Sequence, residues 1–551
     1  MPAGEIILVS YGEENISLSE NPQITFFKII YRRYTNFSIE TIQSNFIYET
    51  KFGKKYTLEI SKIGDLLNKM WLVIELPEIP TIYDFSNTID QKIKFKWAKK
   101  IAYALIDYVE IEIGNQIISR QWGEWMNVLD ELNWNNFNGS LDEYIGNTPD
   151  LYTYQLLDNN FKSKTLYVPL FFWFCNNSGS SLPLLCLEYN NVRFNIQFNS
   201  FESCGIFSPS NYIYVDAYYG EGILGEPIVQ YSNQGIAWGE FDSIDVGDFD
   251  SVTMNIKNYI LYYRKISDNQ FISTSNFSSD LSFILSSSDT NSNTLNYIIF
   301  GLYSGSIYIP IKSDPSDPQS IYIQKTYVFN PPSNLLFKKT YLLCNYIYLD
   351  RDERKKFFDN KHQYTLEQVY YSNPKYLSNL NNKIYIESIN PCKYYVFMGQ
   401  VKYFKNNNVC ENFNYNLYFF DTNKIDTNLK SSNQFNFSND SVVKSAYFSL
   451  NSNPAVENYD MKYYSTLNPF LFFPMAKNTS NFGIGSFSLY PNTFQPSGTC
   501  NLSYFNTFEI NSVFNPIDIS YNKYYFKLYT VNYNFLVIAN GVAATIFNSP
   551  L

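Results

Sequence analysis

The chain has 551 residues, too many for one hydrophobic core, so at least two domains are expected. Aromatics make up 19% of it, with 50 Tyr and 46 Phe, a composition that favours strands because such side chains fill a pleated, half-buried surface. A net charge of −10 with no Lys/Arg run able to form a basic face argues against direct nucleic-acid binding, and a single His, at 362, removes most histidine chemistry.

In chain order, the opening MPAGEIILVSYGEEN has no basic stretch leading into an apolar one. No secretory leader is read there, and a soluble protein made in the cytosol is expected. Residues 1–23 carry few core signals and are expected to form an arm. Beyond them, Tyr56, Leu58 and Ile60 alternate with Lys55, Thr57 and Glu59. Val109, Ile111 and Ile113 alternate with Glu110 and Glu112, and Val192 to Phe198 keeps the same period of two. Strands of this kind have one face in a core and the other in water. Trp122, Trp125, Met126, Leu129 and Leu132 recur at three- and four-residue steps and predict an amphipathic helix. Leu166 to Cys175 is the longest apolar run, but Pro169 interrupts it and it is far shorter than the roughly 20 residues of a spanning helix. A second helix is predicted after Asp350, with Asp350 as N-cap and Glu353 completing a capping box. Two stretches rich in Ser, Asn, Asp and Thr, 265–296 and 421–458, read as long surface loops.

The search for reactive chemistry yields no catalytic, metal or cofactor-binding residues. Seven Cys, at 175, 186, 204, 344, 392, 410 and 500, show no CxxC spacing and read as free, mostly buried thiols. GxxxxGK[ST] does not occur, and Gly483-Ile484-Gly485 precedes a strand-like FSLY rather than a helix. His362 follows a charged helix with no nucleophile elbow in the chain, and reads as structural. Glu110 and Glu112 have a spacing compatible with glycoside hydrolysis, but on a strand's polar face they read as plain solvation. Of the N-x-[ST] sequons, that at Asn276 falls in a candidate exposed loop and is carried as a possible glycan site.

NPQITFFKIIYRRYTNFSIE, Asn21 to Glu40, resembles the opening signature of the major capsid proteins of nucleocytoplasmic large DNA viruses. The likeness continues in order through Phe52–Pro77, Trp97–Leu132, Leu166–Phe198, Asn345–Val369, Pro496–Ser503 and Val531–Ala543. Lys62-Ile63 and Asn68-Lys69 depart from the family's pattern. The resemblance implies an all-β chain of two tandem eight-stranded antiparallel jelly rolls, with long loop insertions and a few short helices. It places an N-terminal arm at 1–23 and a first jelly roll at 24–350 with an insertion at about 200–340. A joining helix at 351–360 and a second jelly roll at 361–551 would follow. It further implies a non-enzymatic structural protein that homotrimerises into pseudo-hexagonal capsomers of an icosahedral virion shell. Its partners would be neighbouring capsomers, minor capsid or penton proteins and, through the arm, internal membrane proteins. A minor or paralogous capsid protein of the same fold is the alternative, and a carbohydrate-binding or glycan-hydrolysing β-sandwich a remote one.

Overall fold

A computed structural model describes residues 34–79, 93–133, 139–156, 163–232, 235–246, 249–250, 255–256, 259–265, 298–301, 304–311, 324–326, 335–377, 379–386, 389–401, 441–476, 482–515 and 524–547, together with positions 5, 271 and 413. The arm at 1–23, apart from position 5, and Asn276 lie outside the described residues.

The strands that begin the first barrel are β1 (Phe37–Asn45), β2 (Lys55–Glu59), β3 (Leu66–Glu75), β4 (Ile106–Ile113), β5 (Gln116–Trp122), β6 (Thr165–Pro169) and β7 (Val192–Phe198). An insertion then contributes β8 (Asn211–Tyr219), β9 (Pro227–Ser232), β10 (Gly235–Val246), β11 (Tyr259–Lys265), β12 (Ile299–Gly301), β13 (Ile307–Pro310) and β14 (Gln324–Thr326). The eighth strand of the first unit is β15 (Lys339–Leu349). A second unit comprises β16 (His362–Leu377), β17 (Asn381–Ile386), β18 (Pro391–Val401), β19 (Val443–Leu450), β20 (Asn453–Asp460), β21 (Gly483–Ser486), β22 (Phe508–Phe514) and β23 (Tyr524–Ala539).

The first unit has sheets β1-β15-β3-β6 and β2-β7-β4-β5, and the second has β16-β23-β18-β21 and β17-β22-β19-β20. Numbering strands one to eight within each unit, both read 1-8-3-6 in one sheet and 2-7-4-5 in the other. That antiparallel order, with neighbours supplied by distant parts of the chain, is a jelly roll, and here it occurs twice. The alternation read from the sequence builds the first core: Leu58 of β2, Val109, Ile111 and Ile113 of β4, and Phe194 and Ile196 of β7 are all buried together. Tight hairpins close where two successive residues take positive φ, at Gly114-Asn115 between β4 and β5 and at Asn451-Ser452 between β19 and β20.

The 421–458 stretch is corrected by this topology: its second half contains β19 and most of β20, which complete the second barrel. Register shifts within β19, between Val443 and Ser445 and again around Phe448, break the alternation that would have marked it as a strand.

The insertion closes on itself. Strands β8, β11, β10, β9, β12 and β13 pair in a ring that returns to β8, with β14 added on β8's flank. Ile213, Val215, Ile228, Phe241, Leu261, Tyr263 and Tyr308 form a core of its own. It sits on the first barrel through the strand Lys94–Trp97, whose alternation is used on both sides. Phe95 and Trp97 enter the first-barrel core, while Lys94 reaches Asp242 at 2.8 Å and Lys96 reaches Glu240 at 3.7 Å.

Candidate functional site: the seam between the barrels

With two barrels on one chain, the decisive geometry is how they are held together. Helix α1 (Gly123–Leu132) follows β5, and Trp122 as N-cap keeps extended backbone. Gly123 is required where it stands, because a Cβ there would lie 2.2 Å from the carbonyl oxygens of Tyr103 and Ile106. That close approach presses α1 against its own barrel and aims its outer face at the other. Trp125, Val128 and Leu132 pack with Val369 of β16, Tyr394, Val396 and Met398 of β18, Ile484 of β21, and Tyr529 and Val531 of β23. The Trp125 ring lies 5.3 Å from Tyr529, and Tyr371 lies 4.7 Å from Tyr529. Rings packed at these distances bury a large apolar area in the contact.

Polar bonds fix the register of the seam. Glu124 accepts from Lys527 Nζ at 2.7 and 2.8 Å and from the Tyr529 hydroxyl at 2.9 Å, with the Lys527 side chain 5% exposed. The Gln368 amide of β16 donates to the Ile118 carbonyl of β5 at 2.6 Å, and the Gln116 amide donates to Thr545 Oγ1 at 2.8 Å. In the first-barrel core, Leu366, Leu536, Ile538 and Ala543 from the second unit are buried alongside first-unit residues. The two barrels therefore share apolar interior.

The joining helix, α2 (Arg351–Asp359), contributes little burial of its own. Asp350 Oδ1 accepts from the Arg351 backbone N–H at 2.7 Å, so Asp350 is the N-cap, and no residue of α2 is buried. Arg354 pairs with Asp65 at 2.6 Å. His362 lies beyond α2 with Nε2 2.6 Å from the Phe357 carbonyl and its ring stacked on Phe357, which is a structural placement.

The Glu110/Glu112 pair departs from the solvation expected of it. Glu110 is 1% exposed and bound by Arg120 Nε at 2.6 Å, with Lys55 at 3.6 Å, while Glu112 takes Arg193 and Asn195. These carboxylates are saturated by cross-strand partners and hold the sheet β2-β7-β4-β5 together. At the insertion's base, Glu240 is gripped by Arg264 at 2.6 and 3.2 Å and by the Tyr154 hydroxyl at 2.7 Å. Burial works to raise the Glu240 carboxyl, but Arg264 and Lys96 outweigh it and hold it at about 2. Among the described residues no group of His, Cys, Asp or Glu is arranged to hold a metal.

Among the strands that end a sheet are β1, which pairs with β15, and β20, which pairs with β19. Phe37 and Ile39 on β1 are 51% and 55% exposed, and every residue of β20 is exposed except the half-buried Val456. Open edges with apolar side chains are surfaces on which other chains can dock.

Glu124, Lys527, Gln368, Glu240 and Arg264 were not singled out from the sequence. The available signal was a charged residue inside an aromatic strand, as Lys527 is in YYFKLYTV, because such a charge survives burial only with a partner.

Two jelly rolls of equal strand order, fused through a buried seam, define the double jelly-roll class of capsid protein. Residues 25–232 match the family described as major capsid protein N-terminus, and residues 353–544 match large eukaryotic DNA virus major capsid protein. The chain is 33% identical to probable capsid protein 4 of Acanthamoeba polyphaga mimivirus over 554 residues, spanning all of both chains. It is 36% identical to the major capsid protein of Phaeocystis pouchetii virus over 232 residues, 37% of this chain and 42% of that one. Among solved structures, PBCV-1 VP54, fitted into a reconstruction of the virophage Sputnik, superposes with a TM-score of 0.58 at 18% identity, over 95% of this chain and 100% of that one. The Faustovirus major capsid protein gives 0.58 at 10% identity, over 96% and 94%, and at such identities the likeness shows the fold. The chain belongs to the major capsid protein family of large eukaryotic DNA viruses. It is a structural protein of the virion shell.

Proposed function

We propose that three copies of this chain form a capsomer with a pseudo-hexagonal outline, and that capsomers tile an icosahedral shell. The observation that carries this reading is the repeated strand order of two barrels locked by one buried seam. Each chain thereby offers two equivalent wedges, and three chains supply six. A closed threefold ring ends growth at the trimer, leaving weaker lateral contacts to extend the lattice. The exposed Phe37 and Ile39 on the edge strand β1, and the exposed edge strand β20, support this as surfaces for a neighbouring chain. An obligate interface of this kind buries more than about 2,000 Å². Sedimentation at micromolar protein is expected to give a species of three times 64.4 kDa. A monomer alone under those conditions overturns the proposal.

In this scheme the chain divides into an arm at 1–23, a first jelly roll at 24–350 carrying its insertion, a joining helix at 351–360 and a second jelly roll at 361–551. The arm contacts minor capsid, penton or internal membrane proteins, so deleting 1–23 leaves trimers intact and impairs shell closure. Failure of the truncated chain to trimerise assigns the arm to the trimer interface instead. The loop bearing Asn276 faces outward and can carry a glycan, and an intact mass equal to the bare polypeptide removes that assignment. A second reading, a paralogous shell subunit, is favoured by the name of the full-length mimivirus relative, probable capsid protein 4. Copy number per virion decides between the two.

A further inference from the structure

The second barrel carries a pair of thiols set face to face. The short strand Cys500–Asn501 pairs antiparallel with the start of β18, in a register that places Cys392 opposite Cys500 and Pro391 opposite Asn501. Residues directly opposite in an antiparallel pair point to the same face, with Cα atoms about 4.5–5.5 Å apart. Disulfides span Cα separations of about 4.4–6.8 Å, so the strand spacing of this register lies within the range a disulfide bridges. Both side chains also pack on the same core: Cys392 is fully buried within it, and Cys500 is half-buried at its rim.

We propose that Cys392 and Cys500 are a modification site, forming a disulfide once the protein leaves a reducing compartment. The chemistry stands on the chain itself, and only its timing, after the particle leaves the cell, rests on the capsid role. Cys500, the reachable thiol, loses its proton and attacks one sulfur of an oxidising small-molecule disulfide, releasing one thiolate. Cys392 then loses its proton and attacks the Cys500 sulfur of the mixed disulfide, releasing the second. The two protons end on the two small thiols, the cysteines are oxidised by two electrons and the reagent is reduced by two. Burial pushes both thiols up, so the thiolate is scarce and the reaction is slow at neutral pH. Slowness suits a step completed after assembly. The bond would tie the segment 487–507, with Leu489, Tyr490 and Tyr504 exposed on it, to the central sheet of the second barrel.

The test uses the full-length purified protein incubated with oxidised glutathione, followed by alkylation and non-reducing peptide mapping. The expected result is a linked pair of peptides carrying Cys392 and Cys500 and an intact mass lower by two hydrogens. For a closed loop of roughly 100 residues, the melting midpoint of the second barrel rises by about 10 °C, and a reductant reverses the rise. Cys500→Ser abolishes the rise while melting like the parent chain under reducing conditions, and Cys410→Ser keeps it. The proposal is overturned if both thiols stay free or remain singly glutathionylated, if either pairs with a different cysteine, or if Cys500→Ser retains the rise. None of these outcomes bears on whether the chain builds a capsomer.

Discussion

Replacing Glu124 with alanine strips three bonds from the seam and leaves the Lys527 ammonium, 5% exposed, facing an apolar contact. What remains to it is a long bond to Gln400 Oε1 at 3.4 Å and the Tyr525 ring 5.2 Å away. Removing one member of a buried ion pair costs about 3–5 kcal/mol, chiefly because the surviving charge must stay dry without its counter-ion. Lys527→Met should cost a comparable amount by stranding the carboxylate. The double substitution Glu124→Leu with Lys527→Met deletes both charges and fills the space, and should lie within about 1 kcal/mol of the parent. The non-additivity, not the single value, is therefore the diagnostic quantity. Urea unfolding followed by tryptophan fluorescence reads it directly, because Trp122 and Trp125 sit at the seam. If Glu124→Ala falls within about 0.5 kcal/mol of the parent, or the two single losses simply sum, the seam is not held by a buried charge pair and the reasoning fails.

Acid should loosen the insertion before the barrels. The Glu240 carboxyl sits at about 2 when folded against an ordinary 4.5, so its contribution is complete above about 4.5 and is lost as pH falls from there towards 2. Hydrogen exchange of β10 and β11 amides across that window should show the loss, and Glu240→Gln should flatten the pH dependence. Phe448→Ala empties a site 1% exposed beside the Tyr395 ring at 4.3 Å and should cost about 3–5 kcal/mol. Scanning calorimetry should place that loss in the second barrel. Asp350→Ala removes the cap of α2 and should cost about 1 kcal/mol locally. Exchange within 351–359 should quicken while barrel melting stays put, since no residue of α2 is fully buried.

Strands β2, β4 and β7 were legible because each has one apolar and one polar face, and α1 because its apolar residues recur at helical steps. The signature running through the chain carried the two-barrel architecture. Strand β23 resists such reading, because Phe526 and Leu528 line the second core while Tyr529 and Val531 line the seam. Burial on both faces erases the period of two. β19 was hidden by its register shifts and its Ser-rich composition, which reads as loop although Ser445 and Ser449 are buried. Glu110 read as solvated because its cover, Arg120 across the hairpin and Lys55 from β2, comes from neighbouring strands. The seam was illegible for the same reason: its contacts join residues some 400 positions apart, such as Glu124 and Lys527. No local pattern encodes that distance.

The insertion leaves the first barrel after β7 and returns at β15, strands that belong to opposite sheets. Its ring of strands shuts on itself around a core of its own, and among the described residues it meets the parent barrel through the charged footing of Lys94, Lys96, Asp242 and Glu240. Such an appendage can be lengthened, decorated or exchanged by evolution while the two barrels keep their dimensions. Diversity on these particles should accordingly accumulate in residues 211–326, and the footing should change far more slowly than the ring it supports.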